Sequence, residues 1–402
     1  RQRQMCIRDR IKDTQVINIR QSDNKVILQG KHNYIQEFDL IVMATHADET
    51  LSMLNSPTQD QQKILSAFKY SKNQIVLHTD SNVLSKNKNV IDCKVITGGT
   101  LSNGKGINIQ GGGLSAKSIT EKDIEDMQHA AKIKVDYIAI SFPRNGSDIK
   151  KARKMMKDCN CNAHVIAKIE RADALINIDE IIEESDAIMI ARGDLGVEIG
   201  DAALPPIQKS LIKKARQMDR VAITATQMME SMIENKIPTR AEVFDVANAV
   251  IDGTDAVMLS GETSIGNYPD EAVKSMSRIC EEAEKQRSVR VSDHRTNLSF
   301  DNIPMAIAMS SMYSANHIGA KAICSLTETG GTCLWMSRIS SGIPIFAFTR
   351  HTSTRRRVAL FRGVFPMKFD ITHTDPLEAN KQMIDQLTEQ KIVEKGDFVI
   401  IT

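Results

Sequence analysis

The chain has 402 residues, 41% of them hydrophobic and 25% charged, which is ordinary for a globular protein of two or three domains. Its 52 basic and 50 acidic residues are scattered along the sequence, which argues against nucleic acid as a partner. No apolar run reaches the roughly 18 residues of a membrane helix, and no secretory signal pattern opens the chain, so we expect a cytoplasmic protein. The seven cysteines form no CxxC pair, so we expect reduced thiols.

The first 88 residues show no regular alternation of strands and helices. The opening letters, RQRQMCIRDR, have no apolar period. Two β-like stretches at 16–26 and 38–44 precede a segment at 48–68 whose pattern is compatible with a helix. These pieces do not predict a closed domain.

After residue 90 short apolar runs alternate with amphipathic segments, which is typical of βα repeats and a parallel sheet. Five such units follow one another, with strands predicted at 135–141, 164–168, 186–191, 221–224 and 255–260. We therefore predict an α/β protein containing an incomplete (β/α)₈ barrel. In such a barrel the chemistry lies after the carboxyl ends of the strands. Polar residues follow the predicted strands here, namely Ser141, Lys168, Glu170, Asp194, Thr226 and Ser260.

A second αβ region begins near residue 302. Its strands are predicted at 321–326 and 344–349, its helix at 376–390, and a further apolar run lies at 398–401. This region predicts a separate C-terminal αβ domain.

The segment HVIAKIERADALI is the strongest local signal for chemistry. Lys168 and Glu170 lie two residues apart on a strand, so their side chains point the same way. An ammonium group can neutralise the charge of a moving phosphoryl group while a carboxylate holds Mg²⁺, so the pair suits phosphoryl transfer. The alternative is an ordinary surface ion pair.

Two further strand ends add to this signal. In MIARGDLGVEI, Gly193 lets the backbone approach a ligand and Asp194 offers a second carboxylate for Mg²⁺, although a turn before a helix is an equal alternative. In ITATQMMESM, Thr226 offers a hydroxyl to hold or protonate a substrate, although helix capping is its usual role.

Together with PTRAEVFDVANAVIDGTDAVMLSGET, these segments resemble the bacterial type of the pyruvate kinase family from about residue 90 to residue 402. The resemblance implies phosphoryl transfer from phosphoenolpyruvate to ADP with Mg²⁺ and usually K⁺. It assigns transition-state stabilisation to Lys168, magnesium binding to Glu170 and Asp194, and a substrate contact to Thr226. The backbone at Gly193 and Asp194 would receive the substrate carboxylate.

The resemblance also implies sites outside the barrel strands. Lys105, in LSNGKGIN, matches a lysine that meets the nucleotide, and the family is homotetrameric. SLTETGGT resembles a loop that grips the phosphate of an effector such as AMP or a sugar phosphate, with a plain strand-to-helix turn as the alternative. Its candidate effector-binding residues are Thr327, Thr329, Gly330, Gly331 and Thr332.

The chain departs from the family pattern at both ends. Three barrel strands, which in the family carry the substrate arginine and the K⁺ ligands, have no counterpart, so we expect impaired or absent turnover. The head, through FDLIVMATHADETLSML and SKNQIVLHTDSNVL, resembles a flavin-dependent amine oxidase fragment, but it lacks GxGxxG and we expect no flavin. The predicted divisions are an unrelated head at 1–88 joined artificially, a lid-domain remnant at 89–113, a partial barrel at 114–288 and a C-terminal αβ domain, cut short, at 289–402.

Two alternative functions remain open. The chain is a non-catalytic fragment that binds phosphate ligands or associates with other subunits, or it is a lyase acting on phosphoenolpyruvate or pyruvate in a related barrel. The lysine two residues before Glu170 and the effector-like loop argue against the lyase.

Overall fold

The computed structural model describes residues 15–22, 25–31, 34–39, 41, 43, 47–67, 119–286, 300, 302–339, 341–370 and 375–402. The chain divides into two compact units, Arg1–Lys105 and Gly106–Thr402, and we treat each separately. None of the helices in the described ranges has the length and hydropathy needed to span a bilayer.

The first unit contains a three-stranded antiparallel sheet in the order β1, β2, β3. The stretch predicted as one strand at 16–26 is two, because the chain reverses and pairs Ser22 with Lys25. The segment predicted as a helix at 48–68 forms two helices, and the second of these begins with a capping box between Thr58 and Gln61. The elements are β1 (Val16–Ser22), β2 (Lys25–Gly30), β3 (Tyr34–Phe38), α1 (Ala47–Met53) and α2 (Gln59–Ser66).

The second unit begins with a five-stranded parallel sheet whose strands lie in chain order, β4 to β8. Helices connect successive strands, as expected for βα units, so the predicted barrel-type fold and its five strands are confirmed. The elements are α3 (Glu121–Ile133), β4 (Tyr137–Ile140), α4 (Gly146–Asp158), β5 (His164–Ile169), α5 (Ala172–Ile176), α6 (Ile178–Glu184), β6 (Ala187–Ala191), α7 (Arg192–Ile199), α8 (Leu204–Gln217), β7 (Val221–Ala225), α9 (Arg240–Asp252), β8 (Ala256–Met258), α10 (Gly261–Ser264) and α11 (Pro269–Ala283).

Alternation along the strands divides the two faces of this sheet. On β5, Val165, Ala167 and Ile169 belong to a buried cluster that contains residues of α4 and α6, such as Ile149 and Ile181. The side chains between them lie on the opposite face, which ends in Lys168. The same alternation that builds the core therefore delivers the polar residues to the carboxyl edge of the sheet.

The C-terminal part of the second unit is a four-stranded parallel sheet in the order β11, β10, β9, β12. Its strand β11 was not predicted because Pro366 interrupts the apolar run; proline is tolerated there because β11 is an edge strand. The elements are α12 (Ile303–Ile318), β9 (Ala322–Leu326), α13 (Gly331–Ser337), β10 (Ile345–Thr349), α14 (Thr352–Val358), β11 (Val364–Lys368), α15 (Pro376–Glu389) and β12 (Val399–Ile401).

The two parallel sheets of this unit share one buried apolar cluster, which includes Met189 and Ile223 of the first sheet and Ile323 and Val358 of the C-terminal part. Polar contacts also cross this boundary. The hydroxyl of Tyr137 donates to the carbonyl oxygen of Arg357 at 3.1 Å. The two sheets are therefore packed as one body.

Candidate active site

Lys168 and Glu170 form the centre of the candidate site at the carboxyl end of β5. The Nζ of Lys168 lies 2.6 Å from Oε1 of Glu170, and it donates to Oγ of Ser141, at the end of β4, at 3.2 Å. The Glu170 side chain is 1% exposed and that of Lys168 is 26% exposed. Glu170 is buried and Lys168 is partly buried, so the pair is not the exposed surface ion pair that the sequence left open.

The Glu170 carboxylate is buried and interacts with several polar and charged groups. Its Oε2 accepts a hydrogen bond from the backbone N–H of Phe142 at 2.9 Å. Burial raises the pKa of Glu170 above its ordinary value, Lys168 and the Phe142 N–H oppose that rise, and the negative charge of Asp194 adds to it. Asp194 is therefore close enough to act on Glu170 electrostatically.

Asp194 lies in the first turn of α7, directly after β6. Two carboxylates from neighbouring strands fit Mg²⁺, which keeps several waters and needs few protein ligands. A cation between them would relieve the repulsion that contributes to the raised pKa of Glu170. No group of three or more His, Cys, Asp or Glu side chains suited to a metal occurs among the described residues.

Thr226 lies where β7 ends and faces α7. Its Oγ accepts a hydrogen bond from the N–H of Gly193 at 2.8 Å and donates one to the carbonyl oxygen of Ala225 at 2.7 Å. Thr226 has φ of 65°, a left-handed conformation that costs a residue with a Cβ roughly 1–2 kcal/mol. Gly193 and Thr226, predicted separately, are thus brought together.

Two buried glutamates brace the loops of this edge and were missed by sequence reasoning. Glu198 accepts from the N–H of Ala172 at 2.7 Å, and Glu262 accepts from the N–H groups of Met229 at 3.0 Å and Ser260 at 2.7 Å. Their place in RGDLGVE and SGE, just after strand ends, is the only signal the sequence offered.

The predicted effector loop connects β9 to α13. The N–H of Gly330 donates to Oγ of Thr327 at 2.9 Å, and Glu328 pairs with His351 and lies 3.5 Å from Arg350. The contact with His351 lowers the pKa of Glu328. Leu326, Thr327 and Arg350 help line a cavity of about 160 Å³ beside the loop. Effector binding by Thr327, Thr329, Gly330, Gly331 and Thr332 stays a prediction, and Lys105 lies outside the described residues.

A parallel βα sheet with polar side chains gathered at its carboxyl edge defines a barrel-type enzyme of the α/β class. The families described as "Pyruvate kinase, barrel domain" and "Pyruvate kinase, alpha/beta domain" match residues 13–273 and 305–402. The chain belongs to the pyruvate kinase family.

Individual relatives agree with this assignment. The chain is 54% identical to pyruvate kinase II of Salmonella typhimurium over 82% of its own length and 70% of the relative's. It is 49% identical to the pyruvate kinase of Buchnera aphidicola subsp. Baizongia pistaciae, over 93% of this chain and 79% of that one. A crystal structure of a pyruvate kinase from Cryptosporidium parvum superposes with a TM-score of 0.70 and 37% identity, covering 73% of this chain and 62% of that one.

The amine-oxidase resemblance of the head is not borne out. The barrel-domain match already begins at residue 13, and the Buchnera relative just described aligns with nearly the whole chain. Of the two segments on which that resemblance rested, residues 71–84 and part of residues 38–54 lie outside the described residues. The predicted domain boundaries stay predictions.

Proposed function

We propose that this chain has the reaction of its family, the transfer of the phosphoryl group of phosphoenolpyruvate to ADP to give pyruvate and ATP, with turnover impaired because three barrel strands of the family have no counterpart. The single observation that supports this most directly is the pair of Lys168 with the buried Glu170 at the carboxyl end of β5, with Asp194 close enough to raise the pKa of Glu170. Such a site can receive a highly charged phosphoryl group and a divalent cation together.

In this proposal Lys168 neutralises the charge that spreads over the phosphoryl oxygens in the transition state. Its ammonium group is held by Ser141 and Glu170 before the substrate arrives, so little reorganisation is needed. Glu170 and Asp194 would hold Mg²⁺, which when bound would supply positive charge to neutralise the phosphoryl group. K⁺ is a family expectation that we retain without assigning ligands.

The substrate carboxylate would be received by the backbone N–H groups of Gly193 and Asp194 and by Thr226. The Gly193 N–H is already directed at Thr226 Oγ, so a carboxylate oxygen would take over or share that donor. The Thr226 hydroxyl, which now donates to Ala225, would turn its proton to the substrate. Thr226 is thus suited both to hold the substrate and to supply a proton.

The remaining family expectations are part of the same proposal. Lys105 would contact the nucleotide, and the loop from Thr327 to Thr332 would bind a phosphate-bearing effector. Association into a homotetramer is likewise a family expectation. We expect the protein to work in the cytoplasm.

The test is a coupled assay of pyruvate formation from phosphoenolpyruvate and ADP with Mg²⁺ and K⁺. K168M should lower the rate by about 10²–10³-fold, the usual cost of losing a preorganised electrostatic contact. K209M is the matched control, because Lys209, whose side chain is 56% exposed, pairs with Asp252 away from the site. A wild-type chain that binds phosphoenolpyruvate without forming pyruvate would refute catalysis and favour the non-catalytic binding alternative.

A further inference from the structure

Arg192, the first residue of α7, is a buried cation that the proposed chemistry does not use. Its side chain is 6% exposed, although an isolated buried charge is costly. Its guanidinium makes a dense set of contacts with the loop that follows β7. Nε and Nη2 donate to the carbonyl oxygen of Thr226 at 3.2 and 2.8 Å, and Nη2 also donates to that of Gln227 at 2.9 Å.

The loop that Arg192 holds has an unusual backbone. Thr226 and Gln227 are consecutive residues with φ of 65° and 52°, a conformation that favours glycine and is rare for a β-branched residue such as threonine. Residues keep such conformations only where the surroundings over-determine them. Here the two carbonyl groups of the turn are fixed by one planar guanidinium.

The charge of Arg192 is balanced from a different helix. Nη1 lies 2.6 Å from Oδ2 of Asp245, on α9, and 3.5 Å from Oε1 of Gln208, on α8. Asp245 is 37% exposed and therefore keeps part of its hydration. The arginine is thus anchored on one side by its charge partner and turns its other nitrogens to the Thr226–Gln227 turn.

We propose that Arg192 is a positioning residue of the phosphoryl-transfer site, which holds the left-handed Thr226–Gln227 turn so that Thr226 Oγ meets the Gly193 N–H. The expected effect of Arg192 on the kinetics rests on the proposed function, whereas its effect on the Thr226–Gln227 turn does not. Lysine cannot replace it, because one ammonium lacks the planar fork that reaches both carbonyl groups and Asp245 at once.

The first test is hydrogen exchange followed by mass spectrometry on the full chain. R192K should speed exchange in peptides covering 191–194 and 224–229, and leave the β5 peptide at 164–169 unchanged. R153K is the matched control, because Arg153 also combines a backbone carbonyl, Glu184 O at 2.8 Å, with a carboxylate, Asp186 at 2.7 Å, away from the turn. If R192K left exchange unchanged in both the 191–194 and the 224–229 peptides, the proposal would be overturned. A uniform rise in exchange throughout the chain would also overturn it, because it would indicate a merely structural role.

The second test is kinetic. R192K should raise the KM for phosphoenolpyruvate by roughly 10- to 100-fold, the scale expected for small misplacements of a substrate-positioning group, with the KM for ADP little changed. In R192A, added guanidinium should restore part of the affinity for phosphoenolpyruvate. Equal effects on both substrates would contradict the positioning role. An inactive wild-type chain would refute the proposed function alone, because the exchange result decides the role of Arg192 independently.

Discussion

The ion pair between Arg338 and Asp255 is a buried contact between the C-terminal part and the barrel sheet, and its removal gives the most quantitative prediction. Both side chains are 1% exposed. Arg338 directs both Nη atoms to Asp255, with Nη1 donating to Oδ2 at 3.0 Å, and Nη1 also reaches the carbonyl oxygen of Arg220 at 2.8 Å. R338M would leave the Asp255 carboxylate buried without its charged partner.

The expected magnitude follows from what remains around Asp255. Breaking a buried pair by removing one partner typically costs about 3–5 kcal/mol. Backbone N–H groups of Ala222 and Arg362 still donate to Asp255, at 2.9 and 3.1 Å. We therefore expect R338M to lower the free energy of unfolding by about 3 kcal/mol, the low end of that range. For a unit of this size this is a fall in Tm of roughly 5 °C.

The assay is urea unfolding followed by far-ultraviolet circular dichroism, with a double-mutant cycle. In R338M/D255N no charge stays buried, so the double variant should be more stable than R338M alone. K285M, which breaks an exposed pair with Glu282, is the control and should change stability little. A loss below about 1 kcal/mol in R338M, or strictly additive losses in the cycle, would refute the reasoning.

Two further predictions concern a tight loop and a half-buried histidine. G330A should be clearly less stable than G319A in urea. An alanine at either position has a left-handed backbone, which costs roughly 1–2 kcal/mol, but only at Gly330 would the new Cβ lie 2.6 Å from Val358 Cγ1. Equal losses of stability in the two variants would contradict this prediction. Burial lowers the pKa of His164, so its unfolded form binds a proton first as the pH falls below 6.5. Thermal stability should therefore fall between pH 7 and pH 5.5, and H164Q should flatten that part of the profile; identical profiles would show that another group is responsible.

Much of the fold could be predicted because its signals are local. The buried strands of the barrel sheet are short apolar runs bounded by polar residues, and each predicted strand overlaps the observed one. The Lys168–Glu170 pair was predictable for the same reason, since alternation along one strand fixes which side chains share a face. Strand β11 was missed because Pro366 is permissible only at a sheet edge, and edge position is a property of the whole sheet.

The rest of the site depends on contacts between distant segments. The left-handed backbone at Thr226 has no sequence signature, because it is imposed by Arg192, 34 positions earlier in the chain. Burial of Glu262 against the loop after β7 is likewise invisible until the two loops are brought together. Sequence patterns therefore indicated the groups that we propose to act on a substrate, but not the residues that hold those groups in place.

The apolar cluster shared by the two parallel sheets has a consequence for how the protein responds to ligands. Because Met189 and Ile223 are buried in the same cluster as Ile323 and Ile345 of the C-terminal sheet, opening either sheet would expose apolar surface of the other. The slowest-exchanging amides of both sheets should therefore open together. A ligand that binds only at the carboxyl edge of the barrel sheet would then slow amide exchange in β9 and β10, although it touches neither strand. Protection would spread through this unit as a property of its common core.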